Sequence, residues 1–159
     1  VAGDFARLNE LILRIRIALL TTVDAEGRFH TRPVETLGFE ANEVLWFFTD
    51  RKSSKADEVR HDLRVSLGYA EPAGHTYVAV TGTATLVHDA DKARELWTLE
   101  QLAYYPDGPE DSRLALLRVQ IERAEYWIAP GRISYLLAAA RAAMTGVPVG
   151  VIGENRKID

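Results

Sequence analysis

No cysteine occurs anywhere in the chain. Disulfides and thiolate metal sites are therefore excluded, and the composition fits a reducing compartment, so the cytoplasm is expected. Long apolar runs are also missing. Nothing approaches a membrane span, and the opening VAGDFARLNELILRIR is charged throughout, unlike a secretory leader. There is no surplus of basic charge: 19 Lys and Arg against 23 Asp and Glu leave a net charge of -4. That balance argues against a nucleic-acid surface but leaves room for a local anion site. The four histidines, His30, His61, His75 and His88, show no metal-ligand spacing, so no metal site is expected. GxSxG, Walker A and GxGxxG motifs are absent, and nothing groups Ser, His and Asp into a triad.

What is present suits a folded domain. The 159 residues are 47% hydrophobic and 26% charged, enough for one domain over 1–159 with a real core. Phe5, Leu8, Leu11, Ile12 and Ile15 repeat at helical spacing behind Asp4, a candidate N-cap. IALLTTV (17–23) reads as a buried strand, and Asp24 to Gly27 as a turn. A strand over 28–39 is interrupted at Pro33, where the ladder must bulge, end or lie at an edge. Further strands are predicted over 44–49, 63–70, 76–87, 114–121 and 124–129, and helices over 54–61, 89–103 and 133–144. Residues 104–112 read as a loop, and the Gly/Pro-punctuated tail over 146–159 as loosely ordered. Short turns between strands favour antiparallel pairing, and βαβ alternation is lacking. The expected fold is mainly β with peripheral helices (α+β), a small antiparallel barrel.

One segment, FFTDRKSSKADEV (47–59), holds a conflict. Ser54 followed by Asp57 fits a capping box at the start of the 54–61 helix. Arg51, Lys52 and Lys55 then stand at the helix end that carries partial positive charge. Capping accounts for Ser54 and Asp57 but not for the cations. Together with Thr49, Ser53 and Ser54 they supply the donors of a phosphate site, and the preceding LWFF supplies an apolar wall for a ring.

The order of several motifs resembles the FMN-binding split-barrel superfamily related to pyridoxamine 5'-phosphate oxidase, closest to its general stress protein branch. These motifs are HTRPV (30–34), FFTDRKSSK (47–55), YVAVTGTATLVHD (77–89), ELWTLEQLAYYPDGPEDSRLALLRV (95–119) and AEYW (124–127). The resemblance implies a six-stranded antiparallel split β-barrel and a homodimer with FMN at its interface. It implies that Lys55, Ser53 and Ser54 hold the phosphate beside Thr49, and that Phe48 and Thr49 pass the ribityl chain. Arg32, Pro33 and Val34 would lie along the isoalloxazine. Tyr77 stands where the oxidases place a flavin-contacting Gln, and Trp127 where a Trp reaches the flavin of the other subunit. Trp97 reads as a packing residue, and Gly82 as a close approach or bulge.

The resemblance has gaps. Ile133 and Tyr135 stand where the oxidases carry a substrate-gripping Arg-x-His pair, Leu37 where they carry a Lys, and Ser54 where they carry an Arg. The leading reading is an FMN-dependent oxidoreductase acting on an unidentified small molecule, with no catalytic residue assigned. The alternatives are a non-catalytic flavin-binding or stress-response module, and a split barrel that uses deazaflavin or haem.

Overall fold

The computed structural model describes residues 2–150 and 153–159. The chain opens with α1 (Ala2–Ile15), then β1 (Ile17–Val23), β2 (Phe29–Glu35), β3 (Gly38–Glu40) and β4 (Val44–Asp50). Next come α2 (Ser54–His61), β5 (Arg64–Glu71), β6 (Thr76–Val87) and α3 (Ala90–Leu96). The chain closes with β7 (Leu114–Ile128), α4 (Arg132–Thr145) and β8 (Glu154–Ile158). The strands form one antiparallel sheet in the order β2-β1-β5-β6-β7-β4-β3, with β8 added against β7. This is the split-barrel arrangement with peripheral helices.

The split lies along β7. Its first half, Leu114 to Gln120, pairs with β4, and its second half, Ala124 to Ile128, pairs with β8. β6 runs beside nearly all of it, and the register shifts between Thr81 and Gly82. A Cβ on Gly82 would lie 2.0 Å from the Gln120 carbonyl oxygen, so the shift needs a residue without a side chain.

Alternation explains the core. Ala18, Leu20, Val65, Leu67, Tyr69, Val78 and Val80 point inward, and Leu8, Leu11 and Ile12 of α1 close over them. β4 is apolar on both faces because both are covered. Leu45 and Phe47 enter the barrel core. Val44 and Trp46 pack outside with Leu116, Val87 and Leu96.

Four expectations change. Among the described residues the strands number eight, not six, because the short β3 forms and the tail contributes β8. That strand replaces the loose tail over Glu154–Ile158, where Tyr126 Oη donates to Glu154 Oε1 at 2.8 Å. The tail residues 151 and 152 lie outside the described residues. The strands expected over 114–121 and 124–129 form a single β7. The helix expected over 89–103 ends at Leu96. Trp97 is extended, and a 3-10 turn follows over Leu99–Ala103.

Candidate functional site

The end of β4 and the start of α2 are joined by side chains. Thr49 Oγ1 lies 3.1 Å from Ser53 Oγ, and Ser53 Oγ accepts from the Ala56 N–H at 3.3 Å. Ser53 is thus the N-cap of α2, one residue before the expected Ser54, which is exposed in the first turn. Asp50 Oδ1 accepts from the Lys52 N–H at 2.8 Å and tightens the turn. The N–H groups of Ser54 and Lys55 have no hydrogen-bond partner among the described residues, as expected for a first helical turn.

The three cations separate. Arg51 turns away, its Nη2 3.1 Å from His88 Nδ1, and Lys52 faces solvent. Lys55 alone enters a cleft of about 350 Å³. Pro33 and Val34 of β2 and Phe48 of β4 line the same cleft, as do Gln101, Tyr104 and Tyr105. Phe48 is wedged by Trp97, with ring centroids 5.9 Å apart, and by the Tyr105 ring edge-on at 6.3 Å. Trp97 therefore packs, as the sequence suggests.

Two pKa values mark the cleft. Burial lowers the Lys55 pKa, and the Arg32 charge lowers it further, while Asp50 and Glu58 oppose the shift. Among the described residues Lys55 forms no ion pair. Burial, reinforced by Asp50, pushes the Tyr105 phenol up to about 12, so it stays protonated near neutrality. Gln101 is buried, and its Nε2 donates to Glu35 Oε2 at 3.2 Å.

Arg32 does not line the cleft but lies behind it. Its guanidinium donates to Glu58 Oε2, Thr22 Oγ1 and the His30 carbonyl. Burial raises the Glu58 pKa, but hydrogen bonds from Thr22, His30 and Arg32 outweigh it and bring the carboxyl down to about 2.

The structure thus brings together Pro33, Val34, Phe48 and Lys55, with Thr49, Ser53 and Ser54 at the adjoining turn. Tyr77 and Trp127 stay apart. They face each other in register across β6 and β7, 42% and 38% exposed, and neither lines the cleft. No sequence motif singles out Gln101, Tyr104, Tyr105 or Glu35. The doubled tyrosine before Pro106 was the available signal, since two large rings in a loop need a surface to pack on.

A second hollow of about 260 Å³ contains Arg51 and His88. Asp89, Glu110 and Asp111 also line it, which makes it a poorer setting for an anion than the Lys55 cleft.

The sequence model of a family described as pyridoxamine 5'-phosphate oxidase like matches residues 4–149. Protein bli-3 of Neurospora crassa is 26% identical over 155 residues, covering 91% of this chain and 74% of that protein. Among solved structures, a candidate general stress protein 26 from Jannaschia sp. CCS1 superposes with a TM-score of 0.75 at 19% identity, covering 98% of each chain. A pyridoxamine 5'-phosphate oxidase-related, FMN-binding protein from Nostoc punctiforme gives a TM-score of 0.66 at 20% identity, covering 82% of this chain and 84% of that one.

Proposed function

The chain belongs to the pyridoxamine 5'-phosphate oxidase-like family, and from that premise we propose that it binds FMN in the Lys55 cleft and serves as a flavin-dependent oxidoreductase. The observation that carries this reading is Lys55 itself, a partly buried cation with a depressed pKa and, among the described residues, no ion pair, beside N–H groups at a helix start that find no partner there. A phosphate monoester carries about -1.5 to -2 charges near neutrality and would relieve that desolvation. The Nostoc punctiforme relative, described as FMN-binding, supports the same cofactor.

In this reading Lys55 and the Ser54 and Lys55 N–H groups hold the phosphate, while Ser53 and Thr49 shape the turn that presents them. Pro33, Val34 and Phe48 give an apolar wall, and Tyr105 offers a protonated hydroxyl beside it. FMN, when bound, supplies hydride and single-electron transfer. The protein's part is to orient it and to exclude water.

We propose in addition that the protein is a homodimer. Helix α4 buries no residue, and Ile133, Leu136, Leu137 and Met144 stand exposed on it. Tyr77 and Trp127 add an exposed aromatic pair. Apolar surface of this extent calls for a cover, and a second copy would bring such side chains to the flavin.

The purified protein should show flavin absorption bands, or acquire them with added FMN, and a Lys55→Ala, Ser53→Ala double variant should lose them. A colourless protein indifferent to FMN rejects the reading. A second reading, a flavin-holding module without turnover, is favoured by the cleft's chemistry. Among the described residues no histidine lines it, and its one carboxylate, Glu35, is hydrogen-bonded by Gln101. Anaerobic reduction followed by reoxidation separates the two, since a pure carrier reoxidises no faster than free FMN.

A further inference from the structure

Three tyrosines are buried among the described residues: Tyr69, Tyr105 and Tyr126. Two of them have hydroxyl partners. Tyr69 Oη lies 2.8 Å from Thr36 Oγ1, and Tyr126 Oη donates to Glu154 Oε1 at 2.8 Å. Tyr105 is 8% exposed, yet its Oη has no hydrogen-bond partner among the described residues. A buried hydroxyl without a partner is costly and uncommon.

This hydroxyl is not sealed in. Among the described residues the fully enclosed side-chain polar atoms without partners are Trp46 Nε1 and Arg51 Nε. Tyr105 lines the Lys55 cleft and not the hollow at Arg51, so its oxygen meets solvent through the cleft. The ring is fixed in place. Phe48 meets it edge-on, and Ala93, Leu114 and Trp97 belong to the same apolar cluster.

Hydrogen bonds tie Tyr105 to the Lys55 end of the cleft. The Arg51 N–H, in the turn before α2, donates to the Arg113 carbonyl at 2.8 Å. Arg113 Nη2 in turn donates to the Tyr104 carbonyl at 3.1 Å and to the buried Asp111 carboxylate at 3.1 Å. Leu114, from the Tyr105 cluster, stands opposite Asp50 in the register of β4 and β7. Gln101 marks the other end, bonded to Glu35, which faces Ile17 across β1 and β2. Asp50 is close enough to reinforce the raised phenol pKa, but no hydrogen bond joins it to Tyr105.

We propose that the Tyr105 hydroxyl is a phosphate donor built into the Lys55 cleft, a binding residue that selects a phosphate-bearing ligand over its dephosphorylated form. The inference rests on the anion-site reading of that cleft. A phosphate oxygen supplies the acceptor that the fold withholds, and the protonated phenol gives it a directed O–H. Lys55 adds charge, and the fixed ring adds direction.

Tyr105→Phe removes the oxygen and keeps the ring. Without ligand it should melt no lower than wild type, because no hydrogen bond is lost. Tyr69→Phe, which breaks a formed one, should melt lower. FMN, riboflavin and inorganic phosphate are then titrated against the full chain. Tyr105→Phe should bind FMN and phosphate roughly tenfold more weakly, as for a lost hydrogen bond to a charged group, and riboflavin as wild type does. In wild type labelled with 13C at the tyrosine Cζ, inorganic phosphate should shift the Tyr105 signal. An unchanged FMN-to-riboflavin preference in Tyr105→Phe overturns the proposal and leaves the flavin reading standing. A ligand-free Tyr105→Phe that melts below wild type overturns it too, as does bound phosphate that leaves the Tyr105 signal in place. Phosphate binding that weakens in the variant, in a chain that binds no FMN, supports the proposal and rejects the flavin reading alone. A chain that binds neither overturns both.

Discussion

Thr49 Oγ1 lies 3.1 Å from Ser53 Oγ, tying the last inward-facing residue of β4 to the N-cap of α2. The hydroxyl that caps the helix is thereby also fixed to the barrel. Replacing Ser53 by Ala removes the cap and leaves Thr49, which is buried, without that partner. A loss of about 1 kcal/mol in urea unfolding is expected, the usual cost of a missing N-cap. FMN affinity should fall alongside, because the turn that presents Lys55 loosens.

Glu58 makes the region sensitive to acid. Its carboxyl is held down at about 2, below the ordinary 4.5. The stabilisation from Glu58 is therefore complete above about pH 4.5 and disappears as pH falls toward about 2. Glu58→Ala strands the Arg32 guanidinium in a largely covered position and should cost roughly 3 kcal/mol near neutrality. The difference in unfolding free energy between wild type and variant should shrink as pH is lowered through that window, which a urea series at several pH values measures.

Gly82→Ala probes the split in the sheet. The new Cβ would meet the Gln120 carbonyl at 2.0 Å, so β6 and β7 must separate at the register shift. Destabilisation of about 3 kcal/mol is expected, at the upper end for overpacking. A thermal melt within a degree of wild type would show that the shift relaxes freely.

The exposed apolar face of α4 makes a claim about assembly. Leu136→Asp with Leu137→Asp should leave the barrel folded, since neither side chain is buried, yet convert a dimer to a monomer. Light scattering measures the mass directly. An unchanged mass would place the subunit contact elsewhere or remove it.

Strands with clean alternation were readable to the residue. IALLTTV became β1 and TYVAVTGTATLV became β6, because inward and outward positions alternate over their whole lengths. From its sequence β7 reads as two strands, because Glu122 and Arg123 interrupt its apolar pattern. In the fold they sit at the register shift opposite Thr81 and Gly82, where pairing need not break the chain. ENRKI gives no strand pattern at all, and its pairing is dictated by the second half of β7, which β4 leaves open. Adjacent serines could not be told apart as caps, since either hydroxyl suits the role. Lys55 was legible as a phosphate ligand candidate, but the paths of Arg51 and Lys52 depend on a turn geometry that composition does not encode. Tyr105 and Gln101 reach the cleft through the packing of Phe48 on Trp97 and Tyr105, contacts spanning some fifty residues of sequence.

The central claim is that Lys55 recognises the phosphate of a flavin. Titration of the apoprotein with FMN and with riboflavin, in wild type and in Lys55→Met, tests it most directly. A charge-assisted hydrogen bond contributes about 1.5–3 kcal/mol, or roughly 10- to 100-fold in affinity. Wild type should prefer FMN by at least that factor, and the variant should lose the preference while binding riboflavin much as before. Equal affinity of wild type for FMN and riboflavin, or a variant that keeps the full preference, would contradict the account.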